Sequence, residues 1–116
     1  MTILISGAMD LDPAHVERIV RDALPLIEEA LAEEGCREYA WTVDPNRPGR
    51  IRVFEQWDTE AQLAAHFETQ AYLQMKLHLR SAGPIKSVTR KWLIAHDEPV
   101  YDAEGKPRAD FFTLAK

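Results

Sequence analysis

The residues with most chemical promise in this 116-residue chain lie between positions 55 and 92. His66 carries an imidazole whose ordinary pKa is near neutrality, so it can take up or release a proton under mild conditions. Glu55 and Trp57 are one residue apart, a spacing that puts both side chains on one face of a strand. An imidazole, a carboxylate and an indole brought together in a dry aromatic pocket could take a proton from a bound small molecule. In such a site His66 is the base, Glu55 orients its ring and Trp57 walls the pocket. Tyr72, Met75 and Trp92 are candidates for the remaining lining, because small-molecule sites are mostly apolar with a few polar groups.

The same residues have a plainer reading. Trp57 and Trp92 alternate with other apolar residues, as core residues of strands do. Glu55 could pair with Arg90 or Lys91 on a neighbouring strand, and His66 could serve only a structural hydrogen bond. Other chemistry has less support. His15, His66, His78 and His96 show no paired ligand spacing, so no metal site is expected. Cys36 is the only cysteine, which allows no internal disulfide and fits a reducing compartment, and its place after Gly35 suits packing more than catalysis.

The net charge of −5, from 14 Lys and Arg against 19 Asp and Glu, disfavours binding driven by nucleic-acid phosphates. Lys86, Arg90 and Lys91 do cluster on the last strand, but Arg50 to Trp57 lacks the glycine–aromatic pattern on which RNA bases stack. No apolar run approaches the ~20 residues that span a bilayer, and no signal peptide opens the chain, so a cytoplasmic protein without a membrane partner is expected.

The elements that must position these residues follow from periodicity. Thr2 to Met9 is a short apolar run, and Asp12-Pro13 marks a helix start. Val16, Ile19, Val20, Ala23, Leu24, Ile27 and Leu31 then form one helical stripe, in which Pro25 predicts a bend without a break. Gly35 ends that helix. Cys36 to Asp44 and Arg50 to Trp57 alternate as two strands around a Pro/Gly turn. Thr59 with Gln62 signals a second helix, which carries Leu63 and Phe67, hesitates near Thr69, and resumes with Tyr72, Met75 and Leu79. Gly83-Pro84 stops it, and Ile85 to His96 is the last strand. This predicts an α+β chain of βαββαβ order: a ferredoxin-like domain over residues 1–96 with an antiparallel four-stranded sheet and two helices on one face, and a C-terminal tail over 97–116. Two helices cover only one face of such a sheet, yet apolar side chains alternate to both. A second copy covering the bare face, with the tail packed on its partner, gives an expected homodimer.

Glu34-Gly35-Cys36 with Tyr39, and Phe54-Glu55-Gln56-Trp57 with Leu63 and His66, resemble the antibiotic biosynthesis monooxygenase family, a family of dimeric α/β barrels. Glu34 stands where the family usually has proline. The resemblance spans about Thr2 to His96. It implies a cofactor-independent monooxygenase acting on a small aromatic or quinol compound, needing neither metal nor flavin. The alternative is a non-catalytic small-molecule-binding or structural dimer on the same fold. The family's haem-degrading branch fits poorly. Where it has asparagine, tryptophan and an iron-ligating histidine, this chain has Ser6 or Gly7, His66 and Lys76, and His78 lies about 200° around the helix from Lys76.

Overall fold

Alternating apolar residues make Thr2–Asp10 a strand, β1, and the computed structural model places it inside a four-stranded antiparallel sheet. Residues 1–113 are described. After β1 come α1 (Val16–Asp22), α2 (Leu24–Leu31), β2 (Cys36–Val43), β3 (Arg50–Trp57), α3 (Glu60–Phe67), α4 (Gln70–Arg80) and β4 (Lys86–Ile94). The sheet order is β2-β3-β1-β4. This is the expected ferredoxin-like α+β arrangement, with each expected helix divided in two.

Both divisions have local causes. Pro25 has no N–H to bond the Arg21 carbonyl, so the helical ladder lapses just before it. The Ala23 N–H instead reaches the Val20 carbonyl at 3.2 Å. The bend expected at Pro25 is therefore a break at Ala23, and the buried stripe turns with it. Ile19, Ala23 and Ala30 are buried, whereas Leu24 and Leu31, which spacing placed in the stripe, are exposed. At the second division Thr69 acts on both sides. Its hydroxyl donates to the His66 carbonyl at 2.7 Å, closing α3, and accepts from the Tyr72 N–H at 3.1 Å, opening α4. Thr59 caps α3 by accepting from the Gln62 N–H at 3.2 Å.

The core lies between the helices and the face bearing Ile3, Ile5, Ile51, Val53 and Trp57. Ile19, Leu63, Met75 and Leu79 fill it from the helical side. β4, at the sheet edge, is exposed at every residue except Ile94. On the opposite sheet face, register places Leu4 beside Trp92 and Ala8 beside Val88, with Phe54 across from Ser6. β2 adds only Ala40 there between Glu38 and Thr42, so the apolar area sits on β3, β1 and β4 and not on all four strands.

The tail turns at Asp102 to Gly105, and Tyr101 bridges to Pro107. Arg108 fastens it through Glu98, Asp110 and Thr113. The radius of gyration is 16.3 Å, against about 13 Å for a compact domain of this length, so the chain is extended.

Gly35 turns the chain from the α2 end into β2 with φ +83°, and a Cβ there would run into the Gln62 side chain. Gly35→Ala should lower unfolding free energy by about 1–2 kcal/mol, from the left-handed backbone plus the clash. In a Gln62→Ala background the cost should fall to the backbone part alone. Urea denaturation of the two single variants and the double variant measures this. Equal costs in both backgrounds would show that Gln62 does not crowd the turn.

Candidate functional site

His66 occupies the last turn of α3, on the side that Leu63 turns to the core, and only 1% of it is exposed. Four rings surround the imidazole. Trp57 lies beneath it with centroids 4.6 Å apart and planes tilted 36°. Tyr39 and Tyr72 meet it edge-on at 5.6 Å and 5.4 Å, and Phe67 lies at 5.9 Å.

A buried imidazole needs a hydrogen-bond partner, and the partner is Glu33, whose two carboxylate oxygens lie 2.9 and 3.1 Å from Nδ1. An ionised carboxylate only accepts, so Nδ1 is the nitrogen that donates, and in the neutral ring the lone pair is on Nε2. Nε2 is buried and has no hydrogen-bond partner in the protein among the described residues. An imidazole held in this tautomer by a carboxylate is arranged as a general base, and the carboxylate can stabilise the imidazolium that forms.

Glu55 is also on the helix-covered face, buried between Ile5 and Tyr39 of the adjacent strands. It does not orient His66, as the sequence suggested, nor does it pair with Arg90 or Lys91. Its Oε1 accepts from the Trp57 indole N–H at 3.0 Å. Burial raises the Glu55 pKa; the Trp57 hydrogen bond and the nearby His66 oppose the rise, and the Glu33 charge adds to it. Glu33 is the functional candidate that sequence reasoning missed. A signal was present: an acid just past a helix C-terminus opposes the helix dipole, so another partner should be sought for it.

A cleft of about 820 Å³ lies between this sheet face and α3–α4. Glu55, His66, Tyr72 and Met75 line it, as the sequence suggested, together with Tyr39 and Trp41. Two expected lining residues are elsewhere. Trp57 is fully buried beneath His66 and supports the ring without reaching the cleft. Trp92 is on the opposite face of β4, 49% exposed, with its indole N–H donating to Ser6 Oγ at 3.2 Å. Alternation within β4 does not say which of its faces the helices cover; pairing with β1 sets Trp92 beside Leu4, on the face away from Glu55.

The other candidate groups have structural partners. His78 Nε2 donates to the Ile19 carbonyl at 2.8 Å, tying α4 to α1. The Cys36 thiol is pushed up to about 11, chiefly by burial, which makes it a poor nucleophile. Among the described residues no group of three His, Cys, Asp or Glu side chains is placed to hold a metal ion, and no helix is long and apolar enough to cross a membrane.

The sheet, its helical cover and the cleft between them define a ferredoxin-like α+β domain with room for a small molecule. The chain belongs to the antibiotic biosynthesis monooxygenase family, whose sequence profile matches residues 2–76. The match runs from β1 into α4 and takes in Glu33, Glu55, Trp57, His66, Tyr72 and Met75, but not Trp92. Similar solved structures include a conserved protein from Methanosarcina mazei Go1, 22% identical over 79% of this chain and 91% of that one, with a TM-score of 0.71. A candidate antibiotic biosynthesis monooxygenase from Deinococcus radiodurans is 17% identical over 84% of this chain and 98% of its own, with a TM-score of 0.67. A Mycobacterium tuberculosis protein covers the same shares at 19% identity and a TM-score of 0.66. At these identities the likeness is one of fold. No curated protein sequence matches the chain significantly.

The Glu55 environment makes stability depend on pH. Its folded-state pKa lies above the unfolded value near 4.5, so the fold favours the protonated carboxyl. That contribution is complete below 4.5 and is lost as pH rises through the raised value. Glu55→Gln keeps an oxygen for the Trp57 N–H and never ionises. Its melting temperature should exceed that of the wild type at pH 8, and the difference should shrink towards zero by pH 4. A difference independent of pH would show that burial does not raise this carboxyl.

Proposed function

We propose that the cleft binds a small aromatic hydroquinone or phenol and that His66 Nε2 removes its hydroxyl proton, with no metal or flavin taking part. The single observation that carries this reading is the buried His66, protonated at Nδ1 by virtue of Glu33 and unpartnered at Nε2, in the lining of an aromatic cleft. The deprotonated substrate is the reductant. A hydroquinone and O2 together contain the atoms and electrons of a hydroxyquinone and water: one oxygen atom enters the ring, and the other leaves as water with the two hydroquinone protons. Glu33 holds the imidazolium until its proton is returned, and the surrounding rings keep water from the anion.

Oxygen consumption with a naphthohydroquinone tests this. His66→Ala should abolish it. The same change should cost about 1–3 kcal/mol of stability, because the Glu33 carboxylate loses its buried partner. Glu33→Gln leaves the histidine in place but no longer enforces one tautomer, and kcat should fall about 10- to 100-fold, the usual scale for losing an orienting partner. Turnover that survives His66→Ala would overturn the proposal, and binding without turnover would favour a non-catalytic binding protein.

The reading includes a homodimer, supported by two features. Leu4, Phe54, Val88 and Trp92 form an apolar area on the sheet face that no helix of the same chain covers, and Phe54, Val88 and Trp92 are exposed. The tail is held in shape by Arg108 and the 101–107 turn, yet it presents Tyr101, Phe111 and Phe112 to solvent, Phe111 by 70%. A second copy buries both sets, since soluble monomers rarely leave such patches in water. Light scattering at micromolar concentration should give twice the chain mass, and truncation after His96 should weaken the dimer. A monodisperse monomer would defeat the dimer, and an equally stable truncated dimer would defeat the tail's part in it.

A further inference from the structure

The cleft is polarised in a way that deprotonating a neutral phenol does not require. Four exposed cations line it, Lys76, Arg80, Arg90 and Lys91. The Arg90 guanidinium stands over the Trp92 ring of the opposite sheet face, 5.7 Å from its centroid, which leaves Lys76, Arg80 and Lys91 for the cleft. None of the three forms an ion pair among the described residues, as is also true of Arg18, Arg47, Lys86 and Lys106; what sets these three apart is that they share one cleft. The one carboxylate in the lining is Glu55, buried with its hydrogen bond to Trp57. A chain of net charge −5 thus leaves three unpaired cations around one apolar cleft.

Local structure explains only part of this. Arg80 is in the last turn of α4, where a cation suits the helix dipole. Lys76 is in the middle of that helix, one turn from Arg80 and so on the same side. Lys91 comes from a different element, on β4 opposite Ile5, which itself lines the cleft. Cations converging from a helix and a strand onto a cavity form a focus for an anion, and within a low-dielectric wall such a focus strengthens.

We infer that the cleft takes an aromatic anion, whose ring body lies among His66, Tyr72 and Met75 and whose carboxylate or phosphate is held by Lys76, Arg80 and Lys91. This names the substrate class of the proposed site and rests on the reading that the His66 cleft receives the substrate. Lysine and arginine both bind either head group, arginine with two parallel hydrogen bonds. The aromatic body satisfies the lining, and the charge satisfies the rim.

Quenching of tryptophan fluorescence in the full chain, with 1-hydroxy-2-naphthoate, its neutral methyl ester and 1-naphthyl phosphate as probes, tests the inference. At least one of the two anions should bind ten or more times tighter than the ester, and the tighter one names the head group. The advantage should decline as salt is added. Lys76→Gln alone should reduce it about threefold, and the Lys76→Gln, Arg80→Gln, Lys91→Gln triple variant should bring anion and ester to within about twofold while ester affinity stays as in the wild type. Equal binding of all three probes by the wild type, or an advantage that survives the triple variant, would overturn the inference. So would displacement of the naphthoate by a peptide of the acidic segment 97–113, which would assign the cations to the tail of another copy. Failure here is distinguishable from failure of the oxygenation reading, because binding is measured without turnover. A charge preference with no oxygen consumption leaves this inference standing and the oxygenation reading overturned; turnover of neutral hydroquinones without charge preference does the reverse.

Discussion

The Glu33–His66 hydrogen bond is the interaction on which the geometry of the site depends. It joins the corner between α2 and β2 to the last turn of α3, two parts of the chain that the sheet alone would not bring into register. A buried imidazole without a partner would cost about 1–3 kcal/mol, so α3 is held where its histidine reaches that corner. The left-handed turn at Gly35 sets where the corner lies, and the Asp58 N–H, just after β3, bonds the Gly35 carbonyl at 2.8 Å. Trp57 then fills the space beneath the ring, and its own N–H requires an acceptor in the core. Glu55 supplies it, at the cost of burying a carboxyl. Each buried polar group in this small network is thus present because of the one before it.

The broken helices bear on the cleft in a similar way. A single straight helix in place of α3 and α4 would carry its apolar stripe along one line over the sheet. The Thr69 junction closes α3 at His66 and starts α4 afresh, so Tyr72 meets both His66 and Phe67 edge-on. Met75 and Leu79 still reach the core, and they line the cleft as well. The gap between α4 and the edge strand is where the cleft forms, and the exposure of β4 shows that the helical layer stops short of the sheet's edge.

Much of this was legible in the sequence, and the misses have physical reasons. Strand alternation put Glu55 and Trp57 on one face, and the capping pattern of Thr59 with Gln62 placed His66 on a helix; that the two meet is shown by the fold. What alternation cannot report is depth. Trp57 and Glu55 share a face, but one is sealed under the imidazole and the other reaches the cleft. Nor can spacing along the chain identify a partner 33 residues away, as Glu33 is from His66. Leu24 and Leu31 were misplaced because a stripe drawn through Pro25 assumes a continuous helix, and the lost hydrogen bond rotates everything after it.

Nε2 is one of three buried side-chain polar atoms without a partner among the described residues; the others are Trp41 Nε1, in the lining of the same cleft, and Gln62 Oε1. An orphaned buried group lowers stability unless water or a ligand meets it. The neighbours of His66 leave Nε2 free: Glu33 accepts from the Nδ1–H, Glu55 accepts from Trp57, and the remaining surroundings are rings none of which donates to it. At Nε2 the group that would meet the lone pair is one that enters the cleft His66 lines, which is the premise of the proposed function. Glu33, which does not touch Nε2, therefore belongs with His66 in the proposed site, because it fixes which nitrogen donates and which faces away from it.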